Sequence, residues 1–410
     1  MSDRASTIDR MPVWVVILVA ATLVGIAMGV RQAMGLYVKP LSEDLGLGRE
    51  AFSMAIAIAN IVWGVVAPFS GAMSDRYGSG IVVVCGGLAT ASGLYMLYSA
   101  KSESDLLISG VLLGLGVAGS GINALVGAVG RAAGPERRTA AIAKLGIGSG
   151  IGVLIAIPYT HFLIETFGWQ TSLAILAATA LMIIPLAFPL SGRPKQAEAT
   201  TLDLTLTEAL GEACSSPSFW LLIAGCFVCG FHLVFYAVHL PPFVADQGLD
   251  PMVGVVALTV VGIGNLIGTY LSGWWGQRYP KHWGLSFIYF MRAVIFIGFL
   301  YLPITPEFVI GASALLGIFW LSTIPLTSGL VATFFGPKWM TMLYGIVFFS
   351  HQVGSFFGAW LAGYVFDQTQ SYNVVWWISV ALGLFAALVH IPIREAAVPR
   401  LAGGAIKPAE

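Results

Sequence analysis

The sequence predicts an all-α integral membrane protein: twelve transmembrane helices in two pseudo-symmetric six-helix halves. Three observations predict it. Mean hydropathy is +0.86 with only 10% charged residues, and apolar runs of 18 or more residues recur along all 410 positions, long enough to cross the hydrocarbon core. Lysine and arginine gather on one set of connections. The loops also repeat at one constant spacing.

Taken in order, the apolar run 13–38 is too long for the core of a cleavable signal peptide and reads as span 1. Spans 2 to 6 follow at 52–73, 81–99, 106–130, 138–162 and 170–190. The segment 191–217 is polar, and Thr205 and Glu208 have the spacing of a capping box, which predicts a short surface helix there. Spans 7 to 12 cover 218–242, 252–275, 283–303, 307–332, 338–364 and 372–393. The expected organisation is therefore an N-terminal half, 1–190, a cytoplasmic linker, 191–217, and a C-terminal half, 218–410, with a short tail. The N-terminus, the even-numbered connections and the C-terminus hold fifteen of the twenty Lys and Arg residues. The opposite side holds Lys39, Arg49 and Lys101, so both termini are expected in the cytoplasm.

The repeat is the most specific signal. Pro40, Asp44, Gly46 and Leu47 recur as Pro242, Asp246, Gly248 and Leu249, an offset of 242 − 40 = 202. Gly71, Arg76 and Tyr77 recur as Gly273, Arg278 and Tyr279, and Gly134, Pro135 and Thr139 as Gly336, Pro337 and Thr341, all at 202. Gly148 with Gly152, and Gly354 with Gly358, form small-residue faces on spans 5 and 11 that suit close helix packing.

Other apparent motifs carry no chemistry. Gly114, Gly116 and Gly119 fit a dinucleotide fingerprint but lie inside an unbroken span. Cys226 and Cys229 read as buried thiols, and Cys85 also lies in an apolar run. No Walker loop, nucleophile triad or metal cluster appears, so no enzyme, cofactor or metal is expected. Zero net charge gives no reason to expect a nucleic-acid partner. The lipid bilayer is the expected surrounding, and no obligatory protein partner is evident.

Four basic or imidazole groups lie deep in the spans: Arg31, His232, Arg292 and His351. All Asp and Glu residues fall in loops, helix ends or tails, so no carboxylate lies at comparable depth. Because a buried charge is costly and usually partnered, the missing counter-charge points to an anionic substrate. Arg31 would clamp a carboxylate bidentately. Arg292 divides evenly between a structural and a substrate role. His232 lies one position from the repeat mate of Arg31, since 31 + 202 = 233, and is expected to face the same cavity. Gln352 beside His351, with Asn265, Tyr236 and Trp63, completes the expected lining.

Gly71, Asp75, Arg76 and Gly78 after span 2 resemble the signature loop of the major facilitator superfamily, with a degenerate copy from Gly273 to Tyr279. The resemblance implies two six-helix halves that rock about a midplane site. It also implies a gating role for Gly71, which permits close packing, and for Asp75, Arg76 and Arg278, which latch helix ends. Arg31, Gly35, Tyr37, Pro40, Arg49, Phe52 and Ser53 resemble bacterial members of the monocarboxylate transporter group and the related oxalate:formate antiporters. In that group a basic residue of span 1 handles proton and carboxylate. Its span 8 arginine is missing here, where Asn265 and Thr269 stand, and His351 occupies the span bearing the antiporters' lysine.

The expectation is a secondary transporter of a small organic anion, a monocarboxylate first, in the bacterial cytoplasmic membrane. Protons would be coupled through His351 or, second, His232. The alternatives are anion exchange, or efflux of amphipathic or aromatic compounds through a cavity lined by Trp63, Phe235, Tyr236, Trp320 and Phe349.

Overall fold

The computed structural model describes residues 11–190, 206–336 and 340–398, and every regular element among them is helical. Span 1 is Val13–Ala33, continued by a tight turn, Met34–Tyr37, and a short helix, Val38–Leu45. Spans 2 and 3 are Arg49–Tyr77 and Ser79–Ser99. Span 4 is broken: Glu103–Ser120 ends at Gly121, and helix resumes from Ile122 through spans 5 and 6 to Leu181. The connection between spans 4 and 5 is thus helical rather than a loop. Gly168 turns the chain between spans 5 and 6 at φ 77°, a backbone state that costs glycine little. The second half is Pro217–Asp246, Pro251–Arg278, Lys281–Tyr301, a broken span of Pro306–Ile318 and Thr323–Phe335, then Met340–Thr369 and Asn373–His390. Helix Leu206–Cys214 lies in the linker, while Thr205 of the expected capping box falls outside the described residues.

Local chemistry sets these boundaries. Pro217, Pro251 and Pro306 occupy the first helical position of their spans, where no N–H is needed. Ser102 and Asp105 form a capping box at span 4, and Thr305 caps span 10. Ten segments are long and apolar enough to cross a membrane. One of these, Ala141–Leu190, crosses twice about Gly168, and Met340–Thr369 adds the last pass, giving twelve.

Packing within each half follows the repeat. A side chain at Gly148 or Gly152 of span 5 would strike Ala21 or Gly25 of span 1, and one at Gly354 or Gly358 of span 11 would strike the Phe227 or Phe231 carbonyl of span 7. Without an apolar driving force between helices in lipid, such close backbone approach supplies the association. The halves meet unequally. Near residues 35–53, 239–246 and 359–372 they are bound by ion pairs and hydrogen bonds. The contacts continue inward to Trp63 against Phe348 and Gly64 against Gln352. Beyond that level no hydrogen bond, ion pair or ring contact joins the halves among the described residues. Gly146, Gly273 and Gly345 there face open space. Among the described residues the halves are closed together at one end and parted at the other.

Candidate functional site

Arg31 is half-buried where span 1 meets span 2. Its Nη2 donates to Asn60 Oδ1 at 3.2 Å and its Nη1 to Gln32 Oε1 at 3.4 Å, while Trp63 lies 5.0 Å beneath the guanidinium. Both acceptors are neutral, and no carboxylate pairs with Arg31 among the described residues. A guanidinium has five N–H donors, and the protein takes up two. Arg31, Asn60 and Trp63 line a cavity of about 40 Å³ within the first half, whose other walls are apolar apart from Thr90, among them Met34, Ile56 and Leu113. Trp63 meets Phe348 edge-on at 5.3 Å, and Phe348 stacks on His351 at 5.8 Å. A ring bridge therefore links Arg31 in one half to His351 in the other. His351 Nδ1 lies 3.1 Å from Gln352 Oε1, and the Gln352 amide nitrogen is buried without a partner. Asn60 was missed by the sequence reading, although a lone asparagine deep in an apolar span was the available signal.

Arg292 is different. It is fully enclosed, and its Nε and Nη2 donate to the Phe319 carbonyl at 3.0 and 2.5 Å and its Nη2 to that of Trp320 at 2.5 Å. These carbonyls belong to the break in span 10, where the helical ladder cannot use them. Asn265 of span 8 serves the same break, its Oδ1 accepting from the Leu321 N–H at 3.0 Å. Asn265, expected in the substrate lining, and Arg292, for which a structural and a substrate role were equally expected, are both turned onto span 10. Irregular backbone at membrane depth persists only where such partners satisfy it. The break matches that of span 4 to within one residue of the repeat: helix resumes at Ile122 and at Thr323, and 122 + 202 = 324. There Thr90 stands at the mate of Arg292, since 292 − 202 = 90.

Two further expectations are corrected. His232 does not face the space between the halves: its Nε2 bonds the Ser379 carbonyl of span 12 at 2.9 Å, and its ring abuts Phe296. One position of helix is a rotation of about 100°, enough to turn it from the interface into its own half. Tyr236 likewise bonds Ser313 at 2.6 Å within a cluster of Phe296, Phe299, Trp320 and Trp376. Phe235 is also buried there against Trp376. These aromatics are core, not cavity wall, whereas Phe349 is exposed.

Among the gating residues, Asp75 accepts from Arg131 of its own half at 2.8 Å. Arg76 lies over Tyr77 and Arg278 over Trp274, each on its own helix. Gly71 permits no close approach in this state, because a side chain there would meet nothing nearer than the Asn123 carbonyl at 3.7 Å. The halves are held instead at the closed end, which the sequence reading missed. Arg49 forks onto Asp246, Lys39 reaches the same carboxylate at 3.1 Å, and Asp367 accepts from the Arg49 and Glu50 N–H groups. Asp246 lies in a loop already marked by the repeat, but its pairing with Arg49 spans 197 residues of sequence.

The family description of the Major Facilitator Superfamily matches residues 13–359. The chain belongs to that superfamily, and it is a membrane transporter. It is 25% identical over 403 residues to monocarboxylate transporter 11 of Mus musculus, covering 93% of this chain and 88% of that protein. It is 22% identical over 401 residues to the oxalate:formate antiporter of Oxalobacter formigenes, covering 95% and 92%. Among solved structures, a point mutant of nucleoside transporter NupG superposes with a TM-score of 0.76 at 13% identity, covering 92% of this chain and 99% of the other. That likeness concerns the fold alone.

Proposed function

We propose that this transporter carries a small organic anion, a monocarboxylate first, by alternating access and coupled to protons. The observation that carries the reading is Arg31: a deep cation in a cavity walled by spans 1 to 4, held by neutral amides with donors to spare. A carboxylate at those donors would supply the charge the spans lack, in a setting of low dielectric that strengthens the pair. The aromatic bridge from Trp63 through Phe348 puts His351 in the same layer, so proton and anion handling can be linked there. The small cavity and the burial of Tyr236, Phe235 and Trp320 in one half weigh against an efflux carrier of large aromatic compounds. The names of the relatives support a monocarboxylate or dicarboxylate substrate.

Orientation follows from Lys and Arg: the termini and even-numbered connections face the cytoplasm of a bacterial cell, so the closed end faces outward. The test is uptake of labelled lactate, pyruvate and oxalate into proteoliposomes. Accumulation on an inward proton gradient supports symport. Uptake only into vesicles preloaded with a second anion identifies exchange instead. No saturable uptake or counterflow of any organic acid, with binding of aromatic cations in its place, would overturn the reading.

A further inference from the structure

His239, near the end of span 7, lies within the closed end and takes no part in the site above. It is 1% exposed and touches both halves. Its Nε2 lies 2.9 Å from the Ala359 carbonyl of span 11 and 3.4 Å from Ser53 Oγ of span 2. Its Nδ1 lies 3.1 Å from the hydroxyl of Tyr372, which in turn accepts from Arg49 Nη1 at 2.9 Å. The proton positions follow from the partners. A carbonyl only accepts, so Nε2 carries hydrogen, and the neutral ring then offers Nδ1 as an acceptor. Tyr372 donates its hydroxyl hydrogen to Nδ1 and accepts from Arg49. Every group is satisfied, provided that His239 is neutral.

A second proton has no place in this arrangement. It would put an N–H on Nδ1 against the Tyr372 hydroxyl, which would have to turn and find another acceptor. The phenol oxygen would then face two cationic donors, His239 and Arg49. The carboxylates that could offset the charge are already engaged: Asp246 with Arg49 and Lys39, Asp367 with the Arg49 and Glu50 N–H groups, Glu50 with the Trp360 indole. Among the described residues no carboxylate is hydrogen-bonded to the ring itself.

We propose that His239 is a proton-binding site whose occupation unlatches the closed end. A proton from the adjoining solution adds to Nδ1, the Tyr372 bond is lost, Arg49 is repelled, and the halves part on this side. Closure then requires the proton to leave. The inference uses the carrier reading only to say that this solution is the external one; the proton site itself requires no knowledge of the substrate.

The test is therefore made without substrate. Spin labels are placed at Asp44 and Met252, exposed residues of opposite halves at this end, after Cys85→Ser and Cys214→Ser remove the exposed thiols. The distance between labels is measured in nanodiscs from about pH 8 to about pH 5, either side of the ordinary imidazole pKa of about 6.5. The expected result is a longer-distance population on acidification, rising by up to about tenfold per pH unit for one linked proton. His239→Gln, whose amide can still donate to Ala359 and accept from Tyr372, should stay closed across the range, and Tyr372→Phe should shift the midpoint. A wild-type distance indifferent to pH overturns the proposal, as does a wild-type response retained in His239→Gln. If His239→Gln does not fold, a Tyr372→Phe midpoint unchanged from wild type overturns it. Failure of the organic-anion reading would appear only in the transport assay and would leave these distances unaltered.

Discussion

Span 9 of the second half and span 1 of the first each carry an arginine with no carboxylate beside it, yet the two are held in opposite ways. Arg292 is enclosed and spends its donors on carbonyls of a broken helix. Arg31 is half-open, and among the described residues its hydrogen bonds go to two neutral amides, with Trp63 beneath it. The breaks in spans 4 and 10 show the same inequality. Span 10 is clasped by Arg292 on its carbonyls and Asn265 on its N–H, whereas the repeat mates of those residues, Thr90 and Trp63, leave the break at Gly121 unclasped. In the clasped half the charge serves the backbone. In the other half the charge remains available, with Trp63 beneath Arg31 where Asn265 would otherwise stand. Duplication supplied two equivalent frames, and divergence made one a fixed wall and left in the other a cation with free donors, the face proposed to bind substrate.

The largest effect expected from this comparison is on stability. Arg292→Met should leave two buried carbonyls unsatisfied, at about 1–3 kcal/mol each. Thermal unfolding in detergent should therefore start well below wild type, with loss of the monodisperse peak. A stable Arg292→Met protein lacking only transport would reverse the assignment of the two arginines. Next comes Arg31→Lys. It keeps the charge but loses the planar fork, and one lost charge-assisted bond, about 1.5–3 kcal/mol, predicts a fall in uptake of roughly 10- to 100-fold. Its unfolding midpoint should stay near wild type. Normal uptake in a folded Arg31→Gln variant would remove Arg31 from the site.

Asn265→Ala sharpens the clasp. Only the Leu321 N–H is orphaned, so a cost of about 1–2 kcal/mol is expected, smaller than for Arg292→Met. Because both residues hold one break, the double variant should lose less than the sum of the two. Strict additivity in the unfolding data would show that they act on separate elements.

The architecture was legible because its causes are local or periodic. Apolar length set the spans, charge bias set their expected orientation, and the offset of 202 residues set the halves. Arg31 was legible as a deep cation without a counter-charge. The destinations of Arg292 and Asn265 were not, because nothing in the residues from Phe319 to Ser322 announces a break; the clue was polar groups on two neighbouring spans that lacked partners. His232 was misplaced by a single register step, a difference that sequence spacing alone cannot resolve without the crossing angles of spans 7 and 12. His239 lies seven residues on, two turns along the same stripe, and that spacing was the available sign that span 7 carries a polar seam. The Arg49 cluster needed tertiary structure, since its members come from spans 2, 7 and 11 and their loops.

The smallest expected effect concerns the parted end, where the halves differ again. Asp75 ties span 2 to Arg131 of span 4, with side chains 64% and 36% exposed. The repeat mate of Asp75 is Gln277, since 75 + 202 = 277, which can form no ion pair, and Arg278 lies over its own Trp274. An exposed pair of this kind is worth about 0–1 kcal/mol, so Asp75→Asn should barely move the unfolding midpoint. Its influence is on access. The pair fixes two helix ends of the first half, which must reach the second half when this end closes, and its loss changes how readily they do so. A bias of at most about 1 kcal/mol alters the ratio of access states by roughly fivefold or less. The measurement is thiol labelling of single cysteines placed at Gly146 and Gly345, which face open space here. A changed labelling ratio with unchanged intrinsic affinity is the expected outcome. Unchanged labelling with altered affinity would instead connect Asp75 to the Arg31 layer, and the comparison between a latched and an unlatched half would fail at this end.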